Sequence, residues 1–166
     1  MKQMTMFAQH VCSMLGGAFF LGAFVLALAA IPSGASAFTF TTIDVPGATL
    51  TNAIGINAHG QIVGGFADAG GAFHGFLLDG GTFTTIDVPG ATFTAAFGIN
   101  NRGQISGFYV DVSGTEHGFL LDKGIFATID VPGAMSTSAL AMNARGQIVG
   151  IFADAGGTVH GFLATP

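Results

Sequence analysis

The sequence has little cysteine and little positive charge, and both shortages exclude classes of protein. Its single cysteine, Cys12, lies near the start, so the rest of the chain must fold without disulfides. Four Lys and Arg residues stand against nine acidic residues, which gives a net charge of −5. So few cations cannot form the basic surface that nucleic acids require. We therefore expect no nucleic-acid partner.

The sequence also lacks the common catalytic patterns. It has no Gly-x-Ser-x-Gly elbow, and no cysteine after Cys12 could serve as a nucleophile. No glycine-rich loop leads into a helical pattern that could bind phosphate. The only glutamate is Glu116, and the closely spaced acids of a calcium loop are missing. We predict neither enzyme activity nor a cofactor.

The first 37 residues differ in kind from the rest. Lys2 precedes Met14–Ile31, an uncharged and mostly apolar run of 18 residues, and Ala35–Ala37 then provides a small-residue cleavage site. This order predicts a helical signal peptide over residues 1–37, removed after Ala37, and hence a secreted or periplasmic protein. The alternative is an uncleaved membrane anchor, since 18 apolar residues are close to the minimum for a span.

The remaining 129 residues consist of three gapless 43-residue copies, 38–80, 81–123 and 124–166, with 21 positions identical in all three. The longest shared blocks are Thr-Ile-Asp-Val-Pro-Gly-Ala and His-Gly-Phe-Leu. A period of this length is typical of stacked supersecondary units. We therefore treat residues 38–166 as one three-repeat domain.

Each copy is expected to contain four short antiparallel strands and no helix. In the middle copy the segments rich in β-branched and aromatic residues are separated by Pro89-Gly90, by Asn100–Gly103 and by Ser113-Gly114. Pro-Gly suits a type II turn, and Asn followed by Gly suits a hairpin. The expected strands are Thr82–Val88, Thr94–Asn100, Gln104–Asp111 and His117–Asp122.

Two all-β architectures remain open. Four-stranded repeats that are apolar on both faces are typical of β-propeller blades, but propellers normally have four to eight blades. Three blades would leave two apolar end faces, so the array would be open or completed by association of chains. Three copies could instead close as a β-trefoil.

The motif Gly-Ile-Asn-x-x-Gly-Gln-Ile-Val-Gly, followed by His-Gly-Phe-Leu, resembles the bacterial extracellular HAF repeats. The matching segments are Gly55–Gly64, Gly98–Gly107 and Ala141–Gly150, each followed by its His-Gly-Phe. Gly replaces the family's usual Ala after His, and the third copy has Ala-Met-Asn where the others have Gly-Ile-Asn. The resemblance implies an exported protein with propeller-like repeats, and it implies no catalytic residue.

The repeated polar residues are interpreted as structural, because a role in packing constrains every copy. One set of aspartates precedes Val-Pro-Gly and is expected to accept hydrogen bonds from turn amides. A second set, Asp68, Asp111 and Asp154, is expected to cap glycine-containing turns. The histidines could converge on a metal, but we favour hydrogen bonds within the scaffold. Besides the second set of aspartates, the repeat positions interpreted as structural are Asp44, Asp87, Asp130, His74, His117, His160, Asn57, Asn100 and Asn143.

Loops that differ between copies are where a binding surface is expected. The candidates in or beside them are Asn52, Phe93, Tyr109 and Glu116. The favoured hypothesis is a secreted, non-catalytic module that binds itself, an extracellular protein or a glycan. The alternatives are a fragment of a longer repeat protein with little function alone, and a secreted hydrolase or lyase with acids in a central cleft.

Overall fold

A computed structural model describes residues 38–166. The predictions of a signal helix, of cleavage after Ala37 and of residues 1–37 as a leader lie outside this range. The chain divides into two units at Thr39–Phe40, and the second unit, Phe40–Pro166, contains every strand given below. Across the described residues, no helix has the length and apolarity that a bilayer crossing needs.

The described residues are all-β, as predicted, and form eleven strands in three groups. Group 1 is β1–β4, group 2 is β5–β8 and group 3 is β9–β11. The bounds are β1 Leu50–Ile56, β2 Ile62–Ala67, β3 Phe73–Asp79, β4 Thr82–Ile86, β5 Phe93–Ile99, β6 Ile105–Val110, β7 Glu116–Asp122, β8 Ile125–Ile129, β9 Ser136–Met142, β10 Ile148–Ala153 and β11 Val159–Ala164.

Turns form where the sequence places Gly in the left-handed region. Gly90 has φ of 80°, and the Ala91 amide donates to the Val88 carbonyl at 3.0 Å, which is the predicted Pro-Gly turn. Gly103 has φ of 78° and donates its amide to the Asn100 carbonyl at 3.1 Å. The first of these turns leads from β4 to β5, and the second joins β5 to β6. Within each group, neighbouring strands are antiparallel.

The hydrogen-bonded groups are out of phase with the sequence copies by one strand. β4 begins the second copy, yet it pairs with β3 of the first, and β8 pairs with β7 in the same way. The equivalent segment of the first copy, 39–43, is not a strand. Among residues 38–166 no strand pairs with the outer edge of β11, so group 3 has three strands where the others have four.

Groups 1 and 2 are joined by a single parallel bridge, Phe73 to Phe93, whereas group 3 is a separate sheet. The first strand of one group packs against the face of the group before it, and small residues allow this approach. A Cβ atom on Gly98 would lie 2.6 Å from the Ser106 hydroxyl and 3.0 Å from the Met142 amide nitrogen, so a side chain there would force both neighbours to move. The core between the groups includes Val63, Ala96 and Phe119, all fully buried.

A β-bulge interrupts the first strand of each group. The register shifts between Ala96 and Gly98, so Phe97 has no partner on β6. The equivalent shifts leave out Ile54 in β1 and Leu140 in β9. A simple alternation of side chains would place Phe97 and Ile99 on one face of β5, but the bulge resets the alternation and they lie on opposite faces.

Candidate functional site

Each repeated histidine lies beside carboxylates, and the middle copy shows the full arrangement. Nδ1 of His117 is 2.8 Å from Oδ2 of Asp130, and its Nε2 is 3.5 Å from Oδ2 of Asp111. The ring stacks on Tyr109 with centroids 5.1 Å apart. β7 carries the histidine, the β6–β7 hairpin carries Asp111, and Asp130 follows β8.

The first copy has the same arrangement, and the third has only part of it. Nδ1 of His74 is 2.9 Å from Asp87, and its Nε2 is 3.6 Å from Asp68. His160 contacts Asp154 through Nε2 at 3.1 Å. Among residues 38–166 no second carboxylate lies within ion-pair distance of His160. For His74 and His117, the carboxylate at Nδ1 comes from the next copy along the chain, so these two pairs join consecutive copies.

The carboxylates in the hairpins are fixed by their own turns. Oδ1 of Asp111 accepts hydrogen bonds from the Ser113 hydroxyl at 2.7 Å and from the Thr115 amide at 2.9 Å. These bonds, the Ser113 hydroxyl first, lower the pKa of Asp111 to about 2. Asp68 and Asp154 accept equivalent backbone bonds. The predicted turn-capping role of these three residues is confirmed.

The aspartates before Val-Pro-Gly do not cap their own turns. The Val88 amide donates instead to the Thr94 hydroxyl at 3.2 Å, and Val131 donates to Thr137 at the same distance. Asp87 and Asp130 are therefore free to accept from histidine, and for them the expectation of turn-amide bonds is wrong. In both turns the acceptor of the Val amide is the hydroxyl of the Thr six residues further along the chain, in place of the aspartate.

In the first two copies both ring nitrogens of the histidine face carboxylates, an arrangement that favours the protonated ring. The hydrogen bond to Asp130 is the main reason why the pKa of His117 is raised, and Asp87 raises that of His74 in the same way. A protonated imidazole has no lone pair for a metal. Within the described range, no cluster of three or more His, Cys, Asp or Glu side chains could hold a metal ion. The structure gives no geometry for a metal centre built from these rings.

The repeated asparagines also join one copy to the next. Nδ2 of Asn57 donates to the carbonyl of Asn100 at 3.1 Å, and Nδ2 of Asn100 donates to that of Asn143 at 3.4 Å. Each Oδ1 accepts amides of its own turn, as Asn100 does from Arg102 at 3.0 Å. None of the three has positive φ, so the asparagine acts through its side chain rather than through a left-handed backbone.

Three of the four candidate binding residues are engaged inside the protein. Phe93 stacks between Phe73 and Phe108, at centroid distances of 5.0 and 5.3 Å. Tyr109 covers His117, and its hydroxyl lies 3.1 Å from that of Thr128. Glu116 accepts a hydrogen bond from the Ser138 hydroxyl. Asn52 is exposed on β1, apart from the other three.

Of two clefts beside Asp130, the smaller, of about 30 Å³, is lined by both Glu116 and Asp130, whereas the larger contains one acid. A cleft of about 310 Å³ between groups 2 and 3 is lined by Asp130, Gln104 and the segment 164–166, among others. Asp130 is its only carboxylate from the described residues, and it is occupied by His117. Glycoside hydrolysis requires two carboxyl groups flanking one bond. This cleft therefore gives no support to the hydrolase alternative.

The structure instead brings out two apolar end faces. Val63 on β2 is 0% exposed beneath group 2, whereas its equivalent Val149 on β10 is 47% exposed. At the opposite end, Ile99 on β5 is 7% exposed, and its equivalent Ile56 on β1 is 68% exposed. We call the surface of Val149, Ile151 and Leu163 the exit face, and that of Ala53 and Ile56 the entry face.

The number of repeats predicts two apolar end faces but does not identify the residues that form them. The signal was available, because these positions are the copy equivalents of residues that must pack between neighbours. No protein-family profile and no curated protein matches the chain. The interpretation of the site therefore depends on its geometry.

Proposed function

We propose that the chain is an exported, non-catalytic β-repeat scaffold that acts by binding another macromolecule through its two end faces. In this proposal the three strand groups are propeller-like blades of the HAF type, and the leader is cleaved after Ala37. The separation of group 3 into its own sheet supports blades over a trefoil, in which neighbouring units share a closed barrel.

One observation carries the proposal, namely the contrast between equivalent valines. Val63 is covered by the next group, and the same residue at position 149 has 47% of its surface in water. Water-exposed apolar patches of this kind mark binding surfaces in soluble proteins. The repeated His, Asp and Asn side chains hold the scaffold together and leave binding to the faces.

The test uses the protein as a bacterial host exports and processes it. We expect the purified protein either to exceed the monomer mass in light scattering or to bind the dye ANS in its folded state. V149S/I151S should reduce this signal, because it makes the exit face polar. V112S is the matched control, since Val112 is 83% exposed in a hairpin away from both faces.

A compact monomer that binds no ANS would contradict the proposal. An equal loss of signal in V149S/I151S and V112S would also contradict it, because the exit face would then have no special role. Sequencing of the mature N-terminus tests the cleavage site separately, with Phe38 as the expected first residue.

A further inference from the structure

Group 3 lacks a fourth strand, and the chain carries a spare copy of that strand's sequence. Segment 39–43 reads Thr-Phe-Thr-Thr-Ile, identical to β4, but forms no strand. We propose that two copies of this chain associate head to tail, with segment 39–43 of each added to β11 of the other. The inference rests on the proposed function and names the occupant of the end faces.

The register follows from the groups that are complete. In group 1, Leu77 lies opposite Thr84 and Phe76 opposite Thr85. Group 2 has the same register between β7 and β8. Applied to β11, this register places Thr41 opposite Leu163 and Thr42 opposite Phe162 of the partner. Addition of a strand to an exposed sheet edge is a common mode of protein recognition.

The aromatic side chains match the same register. Phe83 of β4 contacts Phe76 edge-on at 5.5 Å, and Phe126 contacts Phe119 in the same way. Phe76 and Phe119 are fully buried as a result, whereas their equivalent Phe162 is only half-buried. The equivalent of Phe83 is Phe40, which is 91% exposed. Each of these two phenyl rings therefore provides the contact that the other lacks.

The polar contacts between copies leave a second matched pair. His74 and His117 bind an aspartate one copy ahead, and by that rule His160 requires an aspartate that residues 38–166 do not provide. Asp44 occupies the aspartate position in the first copy and is exposed. Strand addition at β11 brings Asp44 of one chain to His160 of the other.

The asparagine contacts give a third pair, at a different place in the repeat. Asn57 and Asn100 each donate to the carbonyl of the asparagine 43 residues ahead. Asn143 would then donate to the carbonyl of Asn57 in the partner chain. The entry and exit faces are the apolar counterparts of the same contact. A second copy fits better than an unrelated partner, because every contact repeats one already made within the chain.

The contact is heterologous, because the end of one chain meets the start of the other. Such contacts form a closed assembly when the rotation between subunits returns to its origin. Two chains contribute six groups in total, which is within the four to eight blades of known propellers. Closure gives two identical interfaces and leaves no uncovered face.

The first experiment compares two double variants in the chain as the host exports it. Successive amides of a strand point to opposite sides, so T41P/T42P removes a ladder hydrogen bond whichever side faces β11. We expect dissociation of the dimer to become easier by on the order of 100-fold. T41V/T42V, which keeps strand-forming side chains at the same positions, should remain dimeric.

Circular dichroism and urea unfolding at low protein concentration show whether the proline variant still folds. It should, because segment 39–43 makes no strand in the single chain. If the proline variant does not fold, a second experiment tests the strand addition. On a C12S background, T41C/L163C should form an interchain disulfide, because directly opposed residues have the required Cα separation. T42C/L163C is the off-register control and should cross-link far less, since its side chains point to opposite faces.

A dimer that requires segment 39–43 and cross-links in register supports the inference. A dimer unaffected by T41P/T42P, or cross-linked equally by both cysteine pairs, overturns strand addition while the proposed function stands. A monomer with ANS-binding end faces also overturns the inference, but it leaves the proposed function standing. A monomer that binds no ANS overturns both.

Discussion

Among single residues, the paired histidine gives the clearest link between side-chain chemistry and stability. Asp130 accepts a hydrogen bond from Nδ1 of His117, and Asp111 lies 3.5 Å from its Nε2, so both carboxylates favour the protonated ring. The folded-state pKa of His117 is raised above its ordinary value of 6.5. The contribution of this residue to stability is therefore fully present below pH 6.5, and it is lost as the pH rises through the raised folded-state pKa.

We accordingly expect the free energy of unfolding in urea to fall as the pH rises above 6.5 in the wild type, and to fall less in H117Q. Solvent screening at a pair this exposed keeps the difference below about 1 kcal/mol. H59Q is the matched control, because His59 lies in an exposed turn without a carboxylate partner among the described residues. Identical pH profiles for wild type and H117Q would count against the cationic pair.

Among the strands, the bulge in β1 decides which glycines are essential. Gly64 on β2 pairs with Ala53, beside the register shift between Ala53 and Gly55, and its neighbour Gly65 pairs with Asn52. A Cβ atom on Gly64 would overlap the carbonyl oxygen of Asn52. A Cβ atom on Gly65 would lie at ordinary contact distances, 3.5 Å from the His74 carbonyl oxygen and 3.7 Å from the Cβ of Ala95.

G64A should lower the free energy of unfolding by about 2 to 3 kcal/mol, because the overlapping atom belongs to backbone that cannot rotate away. G65A, its matched control one residue further along, should change the same quantity by less than about 1 kcal/mol. The other copies agree, because the equivalents of Gly64 are also glycines, whereas those of Gly65 are Phe108 and Ile151. Equal losses for both variants would contradict the assigned register.

The sequence predicted the all-β fold and the Pro-Gly turn because those depend on neighbouring residues. It did not predict the bulge at Phe97, since an unpaired residue depends on the partner strand rather than on its own composition. It also did not predict that Asp87 binds His74, 13 residues away, instead of its own turn. The number of repeats follows from the sequence, but the shift of one strand between copies and groups depends on which strands pair, and the repeat pattern alone does not determine that.

For the whole molecule, the proposed assembly makes a prediction about mixing chains. A D44H chain would place histidine against His160 of its partner, and an H160D chain would place aspartate against Asp44. Each should therefore associate weakly alone, whereas a mixture restores one His and one Asp at both interfaces. Light scattering of the two variants, separate and combined, measures this.

A mixed dimer that is at least about 10-fold tighter than either variant alone is the expected result. An equimolar mixture of wild type with V112S serves as the control and should show no such gain. If mixing restores nothing while both variants remain folded, Asp44 and His160 do not meet across the interface.

The offset between copies and strand groups also bears on how such chains grow. Because groups 1 and 2 each take their fourth strand from the copy that follows, inserting or deleting a whole 43-residue copy alters the number of groups and leaves the sequences at both ends of the array unchanged. Gene duplication could then change the number of units per chain without redesigning any contact surface. Two chains of three groups each and one chain of six groups would then form the same closed ring.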